Sequence, residues 1–375
     1  MRGWLRVARA AKFPPNRWYP LLKRLGAEAL AAPTASALKQ AELTGDEISG
    51  LLDRDLDTRL DGEFKAARYH GWTLLCPDDE RYPTLLKLVA VPPPVLTVRG
   101  AVDSLLLPSL SVVGARRPNQ YGESATAHLV QPLAAAGIAI VSGLALGIDG
   151  KAHASALAVD GVTVAVCGCG LERVYPERHV ELANEIVKRG ALVSEFPPSM
   201  PPLPENFPQR NRIIAGLSHA VLVVQAAAQS GSLHTANDAA NEGRPVLVVP
   251  GRIGERISDG TLKLIRDGGI MVRSPEDILE EIPALAKAVR GRMVTIAAGS
   301  GDDLPATASG TARKVFDAIP ESDEIDLDVL LENNLLSTEA VLEGLFELEL
   351  AGFIEALAGS RYRRRSAMQQ HPTGG

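Results

Sequence analysis

Apolar strands that alternate with helices constrain the fold of this chain most strongly. Five short, β-branched runs span residues 110–115, 138–143, 162–168, 219–226 and 245–251, and most of them end in glycine. Residues 191–196 and 269–273 are weaker candidates, and helical stretches lie between the runs. Strands buried on both faces are typical of parallel sheets that helices cover on both sides. We therefore predict an α/β fold with a doubly wound, mostly parallel sheet.

Segments of different composition flank the predicted sheet in the 375-residue chain. A helical segment precedes it. A small-residue, glycine-rich linker follows it, and then about three helices with a two-stranded wing, which is typical of winged-helix domains. We expect an N-terminal helical module at 1–70, the sheet domain at 71–283, the linker at 284–310, a winged-helix-like domain at 311–366 and a disordered tail at 367–375.

Composition favours a soluble protein of the cytoplasm. Hydrophobic residues make up 46% of the chain and charged residues 22%, which is an ordinary globular balance. The three cysteines lack C-x-x-C spacing, so we expect a reducing compartment and neither a disulfide framework nor a zinc knuckle. The chain has no apolar run of about 18 residues, so we expect no membrane span. The basic start lacks the apolar stretch of a signal peptide.

The loops that follow the predicted strands contain the residues suited to a binding site. In a doubly wound sheet, ligands bind beyond the carboxyl ends of the strands. We call this edge, with its loops, the carboxyl rim. Arg116 and Arg117 follow the first predicted strand, and Gly143 and Lys151 follow the second. Glycine loops let the backbone approach a ligand, and helix N-termini favour phosphate, so we expect the site here.

Two arginines flank an asparagine in the segment FPQRNR, residues 207–212. The formal net charge is −6, so a polyanion would need a local basic site. The planar fork of arginine suits phosphate and carboxylate groups. We expect Arg210 and Arg212, like Arg116, to lie on the carboxyl rim where solvent can reach them.

Several other ligand classes are disfavoured. The chain has no G-x-x-x-x-G-K-[ST] motif, which argues against a P-loop nucleotide site. Its first strand ends in G-x-R without the G-x-G-x-x-G of a dinucleotide turn, which argues against NAD. Asp149 and His153 lie four residues apart, a spacing that could serve a metal. Two ligands do not make a site, so we favour a helix-capping Asp149 and a packed His153 and expect neither metal nor cofactor.

An ordered series of motifs resembles one family. The segments VVGARRPNQYG, IVSGLALGIDGKAHASAL, GCGLERVYPERH, FPQRNRIIAGLS and SGSLHT follow one another along the chain. Together they closely resemble DprA/Smf, the DNA-processing family of natural transformation. The resemblance implies a non-catalytic, extended Rossmann-like protein that forms homodimers and binds single-stranded DNA. It also implies loading of the RecA recombinase onto incoming DNA coated by single-strand-binding protein.

The resemblance carries DNA-binding residues onto matching positions of this sequence. The motif residues are Gly114, Arg116, Phe207, Arg210, Asn211, Arg212, Ser230, Gly231, Ser232 and Thr235. Arg117 and Gly143 are further candidates on the carboxyl rim. The sequence departs from the family at Leu146, where relatives often have a basic residue, and Lys151 is the candidate substitute. It departs again at Gln225, where the family usually has glutamate.

Two alternative functions rest on other features. An enzyme resembling the nucleotide phosphoribohydrolases would have a G-G-x-G-T-x-x-E loop where this chain has SGSLHTAND. Asp238 lies three residues after Thr235, as the acidic residue of that loop does, but the glycine pattern differs. The winged-helix pattern alone would fit a transcription regulator. Its predicted recognition helix, however, carries Glu339, Glu343, Glu347 and Glu349, which would repel phosphate. We expect this helix to contact protein, with Arg361–Arg365 as an auxiliary DNA contact.

Overall fold

The computed structural model describes residues 1–10, 17–289, 310–320, 324–333, 336–350, 353–357 and 361–364. The chain divides into two compact units, Met1–Arg292 and Met293–Gly375. The first unit contains a layer of N-terminal helices and a large sheet with helices on both faces. The second is a small helical unit with its own three-stranded sheet.

Nine strands form the sheet of the first unit, in the order β1-β2-β6-β5-β4-β3-β7-β8-β9. They are β1 Thr73–Leu75, β2 Leu96–Gly100, β3 Ser109–Val113, β4 Ala139–Ser142, β5 Thr163–Val166, β6 Ala191–Ser194, β7 Ala220–Val223, β8 Val246–Val248 and β9 Ile270–Met271. Strands β3 to β9 pair in parallel. The doubly wound, mostly parallel sheet is confirmed, and both weaker strand candidates are strands. At one edge β2 joins β6 in antiparallel register, and β1 joins β2 in the same way.

The helices of the first unit have the following bounds. They are α1 Arg2–Arg9, α2 Trp18–Ala29, α3 Ala35–Gln40, α4 Gly45–Leu51, α5 Arg54–His70, α6 Thr84–Lys87, α7 Gln120–Ala135, α8 Ile148–Leu157, α9 Val180–Arg189, α10 Asn206–Leu217, α11 Ser232–Asn241, α12 Asp259–Arg266, α13 Pro275–Glu281 and α14 at 283–289. No helix within the described ranges is long and apolar enough to cross a membrane.

Helices cover both faces of the sheet because the central strands are apolar on both faces. In β7, Leu222 faces the layer of α7 and α8, whereas Val223 faces the layer of α10 and α11. Successive side chains of a strand point to opposite faces, so a run without polar residues needs a cover on each side. The two apolar clusters that result fix α7 and α8 on one face and α10 and α11 on the other.

The N-terminal helices pack against the antiparallel edge of the sheet. Their core, built around Trp4, Leu5 and Trp18, also includes Val95 next to β2. The guanidinium of Arg9 binds Glu63 of α5 and donates to the carbonyl of Glu195, which follows β6, at 3.0 Å. The predicted all-helical character of this segment is confirmed, and it belongs to the same compact unit as the sheet.

The predicted linker begins inside the first unit. Residues 283–289 are helical, and Leu285 and Val289 lie in the apolar cluster of α7 and α8. Residues 284–289 are therefore part of the packed structure. The remainder of the predicted linker, residues 290–309, lies outside the described residues, as does the predicted tail.

The second unit has the helices and wing that the sequence predicted. Its elements are α15 Gly310–Ala318, β10 Ile325–Asp326, α16 Leu327–Asn333, α17 Thr338–Leu350, β11 Ile354–Leu357 and β12 Arg361–Arg364, with the strands ordered β10-β12-β11. Val315, Leu330 and Leu345 from the three helices share one core with Ile354 of the wing. This arrangement is a winged-helix fold.

Candidate functional site

The carboxyl rim is centred on β3, where the sheet changes winding direction. From β3 the chain winds one way through β4, β5 and β6, and the other way through β7, β8 and β9. The loops after β3 and β7 are therefore neighbours although they are far apart in sequence. Such a switch point opens a crevice beyond the strand ends, which is where ligands bind in this class of sheet.

Glycines let the rim loops pack directly against one another. Gly147, with φ of 82°, lies against the backbone of Ala115 and Arg116, so the β4 loop supports the β3 loop. A Cβ atom at Gly143 would lie 2.6 Å from Nη2 of Arg210. Neither position has room for a side chain, so these glycines allow close approach of backbone and arginine.

Arg116 and Arg117 are two exposed cations of the rim. Both lie in the loop after β3, and Lys151 lies half-buried in the first turns of α8. Within the described parts of the chain, none of these three side chains forms an ion pair. The structure thus places three of the predicted site residues where an anion can reach positive charge.

Arg210 is buried, contrary to our expectation. Its side chain lies beneath the ends of β4 and β5, and the residue is only 4% exposed. Nη1 donates to the carbonyls of Gly143, at 2.8 Å, and Val166. Burial lowers the pKa of its guanidinium, and the negative charge of Asp149 opposes that shift. Arg210 therefore binds together two strand ends instead of facing solvent.

Arg212 is also committed to a partner within the protein. Its Nη2 lies 2.5 Å from Oε2 of Glu195, and the two side chains are 18% and 4% exposed. The expectation that solvent can reach the side chain was wrong for Arg210, whereas Arg212 is partly exposed. The helix explains why: Arg210 shares a face with Ile213, Ile214 and Leu217, which lie in the core of the unit. Residues spaced by three, four and seven lie on one helix face, so the sequence did contain this signal.

Asp149 and His153 each have a structural partner within the protein. Oδ2 of Asp149 accepts from the backbone N–H of Gly143 at 3.1 Å, so the carboxylate holds the β4 loop and does not act as the N-cap of α8. Nδ1 of His153 lies 2.7 Å from Oγ1 of Thr163, which itself donates to the carbonyl of Ile140. Among the residues that the structure describes, no cluster of three or more metal-binding side chains occurs.

Complete burial gives His153 a measurable effect on stability. Burial first, and then the charges of His179 and Arg210, lower the pKa of His153 to about 3. An unfolded histidine takes up a proton below about pH 6.5. Between the unfolded and folded pKa values, the imidazole binds a proton in the unfolded state but not in the folded state. The free energy of unfolding therefore falls as the pH is lowered from about 6.5 towards the folded pKa.

We expect His153→Gln to flatten the acid side of the stability profile. Glutamine can still donate to Thr163 but does not titrate in this range. Between about pH 6 and pH 4, the free energy of unfolding of the wild type should fall by about 1.4 kcal/mol per pH unit more than that of the variant. Urea titrations at several pH values measure this difference. Parallel profiles for the two proteins would contradict it.

The SGSLHT segment forms the loop after β7 and the start of α11. Ser230 is half-buried and its hydroxyl lies 2.7 Å from that of Ser232. Gly231 is exposed, whereas Ser232 and Thr235 are 9% and 2% exposed. The open part of this segment is therefore the Ser230–Gly231 turn, in the loop after β7, the strand that pairs with β3.

An aromatic pair lies at the end of β5, and one of its members was missed from sequence. Phe207 packs against Gly168, where a Cβ would lie 2.7 Å from the ring. The ring of Tyr175 is 5.6 Å from that of Phe207, and Tyr175 is 48% exposed. Asn211, by contrast, accepts from Nε of Arg210 at 3.3 Å. An aromatic residue in the loop after a glycine-rich strand end was the available signal for Tyr175.

The wing arginines and the acidic helix of the second unit also have defined surroundings. Arg361 pairs with Glu324 and Arg363 with Glu355, while the guanidinium of Arg364 lies 4.2 Å from the centre of the Phe316 ring. The backbone of Arg365 and the side chain of Glu339 lie outside the described residues. On α17, Glu343 and Glu349 are exposed and Glu347 is half-buried.

Comparison with known proteins identifies relatives of both units. The family described as DNA recombination-mediator protein A matches residues 73–283, and the DprA winged helix domain matches residues 301–360. The chain is 42% identical over 303 residues to Protein Smf of Escherichia coli, with 78% of each chain covered. It is 30% identical over 378 residues to the putative DNA processing protein DprA of Mycobacterium tuberculosis, covering 96% of this chain and 93% of that one.

Two solved structures are similar in fold and sequence. DNA processing protein A of Streptococcus pneumoniae superposes with a TM-score of 0.67 at 31% identity, covering 75% of this chain and 98% of that chain. DNA processing protein A of Helicobacter pylori superposes with a TM-score of 0.52 at 32% identity, covering 58% and 96%. The latter structure is described as showing a single-stranded DNA binding mode.

Proposed function

Since the chain belongs to the DNA recombination-mediator protein A family, as its motifs predicted, we propose that it binds single-stranded DNA on the carboxyl rim. We also propose that it protects incoming DNA and loads RecA onto it in the cytoplasm, as a homodimer working beside single-strand-binding protein and without enzymatic activity. The observation that carries the DNA-binding proposal is the pair of exposed arginines, Arg116 and Arg117, beside Lys151 at the switch point.

The chemistry of the rim favours contact with the DNA backbone. Arginine and lysine neutralise phosphates, and this attraction does not depend on base sequence. The Ser230–Gly231 turn, in the loop after the neighbouring strand β7, adds backbone and hydroxyl groups to the same rim. Arg210, Asn211 and Arg212 bind partners within the protein, so they are poorly placed to read base edges. The rim therefore suits a strand of any sequence.

The aromatic pair gives the bases a place to stack, which would favour single strands over duplex. Tyr175 is exposed and Phe207 supports it from below. Bases in a duplex are already stacked and paired, whereas a single strand can place a base on an aromatic ring. In the proposed complex, phosphates of the DNA strand contact Arg116 and Arg117, and a base of the same strand stacks on Tyr175.

The proposal is tested by measuring affinity for one oligonucleotide as a single strand and as a duplex, at several salt concentrations. We expect the single strand to bind more tightly, with little dependence on base sequence. Its log affinity should fall with log salt by about 0.7 per phosphate neutralised. A preference for duplex, or an affinity indifferent to salt, would overturn the proposed site.

Tyr175→Ala should weaken single-strand binding without unfolding the protein. Stacking of one base on an aromatic side chain contributes about 1–3 kcal/mol, or roughly five- to 150-fold in affinity. The salt dependence should not change, because no charge is removed. Tyr69→Ala is the matched control, since Tyr69 is 85% exposed on α5 and should leave binding unchanged. Equal affinities for the two variants would exclude Tyr175 from the site.

A further inference from the structure

Gln225, which follows β7, is a buried polar side chain that binds the loop of the exposed arginines. The residue is 2% exposed. Its Oε1 accepts from the backbone N–H of Asn119 at 3.1 Å, and its Nε2 donates to Oδ1 of Asn119 at 2.9 Å. Its backbone carbonyl accepts from the N–H of Ala115 at 2.6 Å. One residue thus holds the arginine loop at both of its ends.

Backbone donors fix the orientation of both side-chain amides. Oδ1 of Asn119 also accepts from the N–H of Gly122 at 3.0 Å, as the N-cap of α7. Oε1 of Gln225 must face the N–H of Asn119, because an amide nitrogen cannot accept that bond. The atom that remains to face Asn119 Oδ1 must therefore be a donor, and glutamine provides it.

We propose that Gln225 is a positioning residue for DNA binding, which sets the Arg116–Arg117 pair in place by clamping Asn119 and Ala115. This inference rests on the proposed function of the carboxyl rim. Arg116 and Arg117 lie between the two clamped residues and have no ion pair among the described residues to hold them. A glutamate at position 225 would set a carboxylate oxygen against Oδ1 of Asn119. The loop would then lose either this bond or the N-cap of α7.

Gln225→Glu is the principal test, with single-strand affinity as the readout. At about pH 7.5 we expect roughly a tenfold loss, because a buried acceptor is left against another acceptor. A protonated glutamic acid has one donor and one acceptor, as glutamine has. The affinity of the variant relative to wild type should therefore recover as the pH is lowered towards about 5, since burial raises the pKa of a carboxyl group. A lesion that only destabilised the protein would not recover in this way.

A second substitution separates positioning from charge. Serine at position 119 can accept from Gly122 and donate its hydroxyl proton to a carboxylate. Gln225→Glu combined with Asn119→Ser should therefore regain most of the wild-type affinity at about pH 7.5. Gln225→Met, which is uncharged and lacks both bonds, should weaken binding like Gln225→Glu but show no recovery at low pH.

The outcomes distinguish this inference from the proposed function. Hydrogen exchange of the Asn119 and Gly122 amides reports the clamp without DNA, and should quicken in Gln225→Glu and slow again in the double variant. If the wild type does not bind single strands, the proposed function is wrong, but the hydrogen-exchange result for the clamp still stands. A wild type that binds, with Gln225→Glu and Gln225→Met equal to it in affinity, would overturn the positioning role.

Discussion

Arg210→Ala should destabilise the first unit by about 3–5 kcal/mol, which is a large part of the stability of a typical domain. The substitution leaves the carbonyls of Gly143 and Val166 without their buried donor. It also removes the cation that opposes the burial cost of the Asp149 carboxylate. The measurement is urea unfolding followed by far-UV circular dichroism.

Arg117→Ala is the matched control for this prediction. It removes the same side chain from an exposed position of the carboxyl rim. Exposed substitutions of this kind change stability by no more than about 0.5 kcal/mol. Arg210→Lys should recover little of the loss, because one ammonium on a flexible stem does not reproduce the guanidinium fork. If Arg210→Ala and Arg117→Ala unfold at the same urea concentration, Arg210 does not join the strand ends.

Substituting both exposed arginines should have the largest effect on DNA binding. Charge-assisted hydrogen bonds to phosphate contribute roughly 1.5–3 kcal/mol each. The Arg116→Ala, Arg117→Ala double variant should therefore lose about 100-fold or more in single-strand affinity, and its salt slope should flatten by about one to two phosphates. The urea midpoint should change little, since both side chains are exposed.

The control for the double variant removes two charges elsewhere. Lys263 and Arg266 are exposed in the last turns of α12, which leads to the amino end of β9 and so to the opposite edge of the sheet. Their combined substitution by alanine changes the net charge by the same amount. If the two double variants lose affinity equally, general electrostatics explains binding and the carboxyl rim is not the site.

The sequence predicted the sheet well because buried parallel strands leave a strong apolar signal. It did not predict β1 and β2, which flank a proline-rich stretch and pair in antiparallel register at the edge. The strand β6, with which β2 pairs, lies about a hundred residues further along the chain. Long-range pairing of this kind is decided by tertiary packing and not by local propensity.

The predicted site residues come together near the carboxyl ends of the strands, but their individual surroundings were harder to predict. Arg116 and Arg210 have the same chemistry, and only the spacing of Arg210 from the core positions Ile213 and Leu217 shows that it is buried. Motif resemblance gave equal weight to both residues. The contribution of Gln225 could not be predicted, because it depends on a contact with Asn119 that only the folded loop creates.

Helix α10 crosses the sheet from β6 to β7, and on the way Arg210 ties the ends of β4 and β5 together. By running from β6 to β7, this one helix connects the two halves of the doubly wound sheet. Its arginine holds two strand ends in place, so the rim is preorganised before any ligand arrives. Most of the conformational entropy lost on binding must then come from the strand of DNA, which has to adopt the shape of the rim. Calorimetry should accordingly show an enthalpy-driven association whose entropic penalty grows with the length of ordered strand.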